Sequence, residues 1–141
     1  MKNYLLLLLL SVFFLAVFPA CSLVSTSFPT PTPAPPLLTA MEIYQDPSSY
    51  VGQLVSLRGY GIAEAAMPLC PGYVGMDTRM VFIDEQQENI TAKLATSMEL
   101  AARSGTLRLF LGYVRNFSGD LGCPGNVSNV TIPYFEIIEV R

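Results

Sequence analysis

The chain has 141 residues, enough for one domain of ordinary size and an appended segment. Apolar residues make up 51% of it, and it contains no histidine, which excludes catalytic sites that pair a histidine with a serine or a cysteine. Its net charge of −3 disfavours nucleic-acid binding, which needs a basic groove lined with aromatic side chains.

The first 20 residues have the form of a secretory signal. Lys2 stands near the start, and residues 4–20 are an almost unbroken apolar run. A retained membrane helix is the alternative, but these residues span only about 26 Å of the ~30 Å hydrocarbon core, and Pro19 would end such a helix. We therefore expect residues 1–20 to be a signal peptide and the remaining chain to lie outside the cytoplasm.

Residues 18–21, Phe-Pro-Ala-Cys, resemble a bacterial lipobox, in which a small residue precedes the cysteine that is lipidated. Ala20 and Cys21 match that pattern, whereas Phe18 and Pro19 replace the usual Leu and the usual Ser or Ala. The resemblance implies a lipoprotein that binds a membrane through lipid on Cys21. We expect it at the cell membrane or outer membrane, facing the extracytoplasmic side.

Residues 21–37 form an uncharged linker. Five prolines, at positions 29, 31, 33, 35 and 36, alternate with small residues or stand together. This composition favours an extended, semi-rigid polyproline II segment, with plain disorder as the alternative. The folded domain is predicted over residues 38–141.

A short helix is predicted at the start of that domain. Thr39 and Glu42 have the spacing of a capping box, and Leu38 and Ile43 that of a hydrophobic staple. Pro47 is expected to end the helix early.

Five strands and a second helix follow in the pattern. Alternation and turn residues predict strands at 52–63, 78–84, 89–95, 106–114 and 132–140. A helix is predicted over residues 96–105, with Thr96 and Glu99 as a second capping box and Gly105 at its end. The core is predicted from residues that alternate along the strands: Val55, Leu57, Val81, Ile83, Leu109, Leu111, Ile137 and Val140.

The order strand, strand, strand, helix, strand, strand resembles the OB-fold. Residues 50–140 are similar to extracytoplasmic bacterial OB-fold proteins in a valine-rich first strand ending in glycine, a Phe-x-Asp turn and an aliphatic last strand. Gly59 and Gly61 predict a bulge or bend in the long first strand. The resemblance implies a mainly β domain, a five-stranded Greek-key barrel with one short helix before it and one between strands three and four. A β-sandwich is the alternative fold.

The resemblance also places two Cys-Pro-Gly turns. Cys70 lies in the predicted loop 64–77 and Cys123 in the predicted loop 115–130, and in an OB-fold these loops border the same end of the barrel, here called the mouth. With Cys21 lipidated, these are the two remaining thiols in an oxidising compartment, so we expect a disulfide. Free thiols and a redox pair are the alternatives. A structural zinc site needs four ligands, so no metal and no cofactor are expected.

Catalysis is not expected. Asp77, Asp84, Glu85 and Glu88 lie around the second strand and the turn after it, but they lack the spacing of a calcium loop. Acids are also common in turns. We therefore expect a protein that is not an enzyme.

Two hypotheses of function remain, and a third is weaker. In the first, the domain is a binding module that holds a small molecule, a glycan or a protein at the mouth, through Tyr73, Arg79, Arg115 and Phe117. These residues are equally consistent with packing around the disulfide.

In the second hypothesis, the domain is a structural or assembly subunit of the cell envelope whose partner pairs along an exposed strand edge. The third is a nucleic-acid-binding OB-fold. It is disfavoured because, without Lys2, seven basic residues face eleven acids, a net charge of −4.

Overall fold

In the described part of the chain, a two-residue strand and two short helices precede five longer strands. In chain order they are β1 (Leu37–Leu38), α1 (Ala40–Gln45), α2 (Pro47–Tyr50), β2 (Leu54–Glu64), β3 (Met80–Asp84), β4 (Asn89–Leu94), β5 (Arg108–Cys123) and β6 (Asn126–Val140). The computed structural model describes residues 33–64, 69–95, 102–103 and 105–141. The predicted mainly β class is confirmed.

Several predicted features fall outside the described residues. They include the signal at residues 1–20, the lipidation site Cys21 and the linker as far as residue 32. Most of the helix predicted over residues 96–105, with its capping box, also lies outside them, although Ala102 is helical.

The capping box at the start of α1 is confirmed. The Thr39 hydroxyl accepts a hydrogen bond from the Glu42 N–H at 3.2 Å, and the Thr39 N–H donates to the Glu42 carboxylate at 2.7 Å. The helix ends at Gln45, as the proline predicts. Pro47 then occupies the first position of α2, where its missing N–H costs nothing, and Asp46 caps this second helix.

A two-residue strand precedes the helices and was not predicted. Leu37 and Leu38 pair in parallel with Ser56 and Leu57 of β2, and the Ser56 N–H donates to the Pro36 carbonyl at 2.8 Å. The sheet therefore takes in Pro36 and Leu37 from the segment that the sequence marks as linker.

The strands form one mixed sheet in the order β1-β2-β3-β4-β6-β5, and β2 also pairs with β5. The pairings β1–β2 and β4–β6 are parallel, and the others are antiparallel. The N-terminal half of β2 pairs with β5 and its C-terminal half with β3. The register shifts between Gly59 and Gly61, so the bulge predicted from these glycines is present where β2 changes partner.

Replacing Gly59 by alanine is expected to lower the free energy of unfolding by about 3 kcal/mol. A Cβ atom at this position would lie 2.3 Å from the Ile83 carbonyl oxygen and 2.5 Å from the Phe82 ring. Gly52→Ala is the control, because Gly52 has φ +84° but nothing within 4 Å of the added atom, so about 1 kcal/mol is expected. Urea unfolding of both variants measures the difference, and equal losses would contradict it.

Three phenylalanines form the centre of the core. The Phe82 ring lies 4.8 Å from that of Phe110 and 5.6 Å from that of Phe135, both in edge-to-face geometry, and all three side chains are fully buried. Their contacts connect β3, β5 and β6 on the buried face of the sheet. Ile43 of α1 and Ile90 of β4 are also fully buried in this cluster.

The predicted core is right in β2 and wrong in β3. Val55, Leu57, Leu111 and Ile137 are buried as expected. The other predicted core residues are only half-buried: Val81, Ile83, Leu109 and Val140. In β3 the inward face instead carries Phe82 and Asp84, because the Asp84 carboxylate finds hydrogen-bond donors inside the protein.

Candidate functional site

The two Cys-Pro-Gly turns are joined as predicted. Cys70 and Cys123 form a disulfide with their Cα atoms 6.0 Å apart. In the first turn the Tyr73 N–H donates to the Cys70 carbonyl at 3.1 Å, and Gly72 has φ +76°, which with the preceding proline fits a type II turn. A Cβ atom on Gly72 would lie 3.0 Å from the Pro124 ring, so the two turns also pack together.

The segment that carries Cys123 is not a loop. The predicted loop 115–130 is formed by strands, because β5 continues to Cys123 and β6 begins at Asn126. Residues 115–134 therefore make a long two-stranded arm, here called the ribbon. Polar cross-strand pairs support it: Ser118 hydrogen-bonds Thr131 at 3.0 Å, and the Asn129 amide donates to Asp120 at 3.0 Å.

The segment of residues 69–79, here called the clamp loop, holds the ribbon near its tip. Besides the disulfide, Val74 and Gly122 exchange two backbone hydrogen bonds of 3.0 and 3.2 Å. Gly75 approaches the same strand closely, since a Cβ atom there would lie 2.5 Å from the Asp120 carbonyl. The clamp loop thus adds a short third strand segment beside β5.

The four predicted ligand-binding residues are each engaged within the protein. Arg79 binds the Asp77 carboxylate at 2.7 Å and lies 3.6 Å from that of Glu64. The Tyr73 hydroxyl donates to the Met76 carbonyl at 2.9 Å. Tyr73 and Arg79 both belong to the clamp loop.

The other two predicted ligand-binding residues, Arg115 and Phe117, lie on one face of the ribbon. Arg115 binds Glu136 at 3.0 Å and stacks 4.7 Å above the Tyr113 ring. The Phe117 ring packs over Gly119, since a Cβ atom added to that glycine would lie 3.4 Å from the ring. Among the described contacts the four residues fall into two separate groups, one on the clamp loop and one on the ribbon, and the predicted four-residue site is not assembled.

An open groove lies beside the clamp loop. Its volume is about 460 Å³, and its described walls come from the clamp loop, the start of β3 and the end of β4: Met76, Asp77, Met80, Ala92, Lys93, Leu94 and Ala95. The pairing of β3 with β4 ends at Val81 and Thr91, whereas β4 continues beside β6 as far as Leu94. The groove opens where these two strands separate.

Two charged residues border the groove, and only Asp77 has an ion-pair partner among the described residues. The hydrogen bonds from the Arg79 guanidinium hold the pKa of the Asp77 carboxyl below its ordinary value, so this carboxylate stays ionised and neutralised near neutral pH. Lys93 is exposed and has no described carboxylate within ion-pair distance. The groove is therefore mostly apolar, with one paired acid and one lysine at its border.

The acids around β3 serve structure rather than a common site. Asp84 is 1% exposed, and its carboxylate accepts backbone hydrogen bonds from Ala40 at 3.0 Å and from Gln86 and Glu88 at 2.9 Å. Glu85 lies 3.9 Å from Arg58. In the described ranges no group of three or more cysteine, aspartate or glutamate residues is arranged to hold a metal ion.

No family model, curated protein or solved structure matches the chain. Among the described residues no helix is both long enough and apolar enough to span a membrane.

Sequence reasoning missed the groove. Its walls combine residues 76–80 with residues 92–95, and the sequence offers only the methionines at 76 and 80 as a signal, because flexible thioether side chains are common at adaptable binding surfaces.

Proposed function

We propose that the chain is a membrane-tethered extracytoplasmic lipoprotein that binds a small, largely apolar molecule in the groove, without catalysis. The tether rests on the signal-like residues 1–20 and on Cys21, which follow the lipobox pattern. The groove carries the binding proposal. Its volume of about 460 Å³ falls within the range of small-molecule sites, and most of its described lining is apolar.

We also propose that the sheet is an OB-fold-like barrel. The pairings support this, because β2 to β6 form a closed ring of neighbours, β2-β3-β4-β6-β5, once the contact of β5 with β2 is included. In OB-folds the second and third barrel strands and the adjacent loops carry the ligand site. Here the second and third barrel strands correspond to β3 and β4, which border the groove.

The clamp loop is the feature that suits this groove to binding. It contributes Met76 and Asp77 to the wall, and its other end is fixed to the ribbon by the disulfide and by Val74. A wall fixed before the ligand arrives has less conformational freedom to lose on binding. Small molecules therefore fit the site better than a glycan or a protein, which would need polar donors or a larger surface.

A methyl NMR experiment tests the binding proposal. In a chain carrying 13C-labelled methionine methyl groups, small apolar compounds are expected to shift the signals of Met76 and Met80. The signal of Met41 should not move, because this residue is exposed on α1 and is not part of the groove wall.

A filled groove provides the control. Ala95→Trp places a large ring in the groove and should abolish the shifts, whereas Tyr44→Trp, at an exposed position on α1, should leave them unchanged. The proposal fails if no compound shifts Met76 or Met80, or if the shifts survive in Ala95→Trp.

The third hypothesis, nucleic-acid binding, gains no support from the charges. Five arginines lie within 4 Å of carboxylates and so cannot offer unneutralised charge to phosphate: Arg58, Arg79, Arg103, Arg115 and Arg141. An assembly subunit is the second candidate, and the outer edge of β6 favours it.

A further inference from the structure

Among the described residues, the outer edge of β6 in the ribbon has no strand partner. Besides β5, the described strand that pairs with β6 is β4, at Phe135, Glu136 and Ile137. Within the described chain, residues 126–134 have β5 as their one strand neighbour. Residues 126–129 and Thr131 are exposed, so this edge faces solvent.

The register decides which backbone groups point outward from this edge. The Ala95 N–H donates to the Ile137 carbonyl, so the backbone of Ile137 faces away from β5. Because these directions alternate along a strand, and the register with β5 is continuous to the ribbon tip, the backbone groups of Val127, Asn129 and Thr131 also face outward. Pro133 faces the same way but has no N–H to donate.

The opposite edge of the ribbon is protected. On β5, Val114 exchanges backbone hydrogen bonds with Gly52 and Gln53, and Gly122 does so with Val74. These two contacts occupy the edge of β5, so a further strand could not pair along its length. The β6 edge, in contrast, runs freely to the tip.

The β6 edge also lacks the usual protection against pairing. Edge strands are commonly guarded by charged side chains, bulges or prolines. Residues 121–135 contain no charged residue, and Pro133 guards only the inner end of the edge. A free, uncharged edge rich in β-branched residues is a surface for strand addition.

We propose that two copies of the chain pair through this edge in an antiparallel arrangement, with Asn129 opposite Asn129 of the second copy. The free donors are at positions 127, 129 and 131, between the ribbon tip and Pro133. In this register all three of these residues pair with the same three residues of the other copy, so that Val127 lies opposite Thr131. No other antiparallel register pairs all three. The result is a symmetric interface with six backbone hydrogen bonds, two for each facing pair.

The side chains are compatible with this register. Each Asn129 amide NH₂ group donates to the Asp120 carboxylate of its own chain at 3.0 Å, which leaves the amide oxygen free to accept. No two acids face each other across the interface. On the other face of the ribbon, Ile132 lies opposite Phe117 within each copy, and the half-buried Val130 residues of the two copies would be diagonal neighbours across the interface.

Single cysteine substitutions test the register. In Asn129→Cys the two new cysteines would lie about 5.5 Å apart between Cα atoms, within disulfide range, so mild oxidation of membranes carrying the full chain should give a cross-linked dimer. Ser118→Cys is the control, since this exposed position is on β5 beside Thr131 and would lie about 20 Å from its counterpart, three strands across and four residues along. We expect Asn129→Cys to cross-link about tenfold faster than Ser118→Cys.

Two further arms make the test specific. Val127→Cys and Thr131→Cys should cross-link when the two chains are produced together, and only weakly when each is produced alone. Thr131→Lys, added to the Asn129→Cys chain, places a guarding charge at the edge and should abolish the cross-linking while leaving the circular dichroism spectrum unchanged. The proposal is overturned if Asn129→Cys links no faster than Ser118→Cys, if Val127→Cys alone links as fast, or if Thr131→Lys has no effect.

Discussion

Asp84→Ala is expected to lower the free energy of unfolding by about 4 kcal/mol, because it removes a buried carboxylate that satisfies three backbone N–H groups. One of its oxygens accepts from Ala40 at the start of α1, and the other accepts from Gln86 and Glu88 in the turn between β3 and β4. Without the carboxylate, the Ala40 N–H loses its partner in a buried site, since Ala40 and Asp84 are 0% and 1% exposed, and the partly buried N–H groups of Gln86 and Glu88 lose theirs. The same change would detach the helix from the turn.

Asp84→Asn separates the two parts of this role. Its remaining oxygen can still accept from Gln86 and Glu88, but an amide NH₂ group would face the Ala40 N–H, which leaves two donors opposed. We expect a loss of about 2–3 kcal/mol in urea unfolding, between those of the parent chain and Asp84→Ala. Glu85→Gln, at an exposed neighbouring position, should change stability by less than about 0.5 kcal/mol. Equal stability of Asp84→Ala and Glu85→Gln would contradict the assignment.

Features that depend on residues close together in the sequence were predictable. The capping box of Thr39 and Glu42 needs only a spacing of three residues, and the structure contains both of its hydrogen bonds. The bulge at Gly59 and Gly61 follows from glycines inside an alternating strand. The class of fold also followed, because alternation over several segments favours strands.

The inward face of β3 was not predictable from alternation. Along this strand Val81 and Ile83 alternate with Phe82 and Asp84, and an aspartate normally marks the exposed face. The structure buries the face with the aspartate, because backbone donors from α1 and from the following turn surround it. Those donors come from residues up to 44 positions away, so the pattern within the strand does not contain them.

The ribbon was missed for a related reason. Residues 115–130 are rich in Gly, Asn and Ser, which favour loops when judged singly. Their strand structure comes from pairing across the hairpin, with support from Ser118 to Thr131 and from Asn129 to Asp120. The disulfide was predictable because the lipobox resemblance assigns Cys21 to lipidation, which leaves one pair of cysteines. The groove was not, because it depends on where two strands separate.

Removing the disulfide is expected to lower the free energy of unfolding by about 4 kcal/mol, since it closes a segment of 53 residues and restricts the unfolded chain. The double variant Cys70→Ala/Cys123→Ala tests this without leaving a free thiol. The three-phenylalanine core does not depend on the bond, so the folded sheet should persist. Urea unfolding measures the loss, and a change below about 1 kcal/mol would contradict the expected effect.

The same variant should also loosen the clamp loop in the folded state. Without the disulfide, the clamp loop is tied to the ribbon mainly by the two hydrogen bonds of Val74 with Gly122, at a position where Val74 is exposed. Hydrogen exchange of these two amides should therefore accelerate, while that of Phe82 in the core should follow only the global loss of stability. The groove would widen with the loop, because Met76 lies two residues from Val74, and compounds held there should bind more weakly. Unchanged exchange at Val74, together with a reduced free energy of unfolding, would mean that the disulfide acts only on the unfolded chain and that the groove keeps its shape without it.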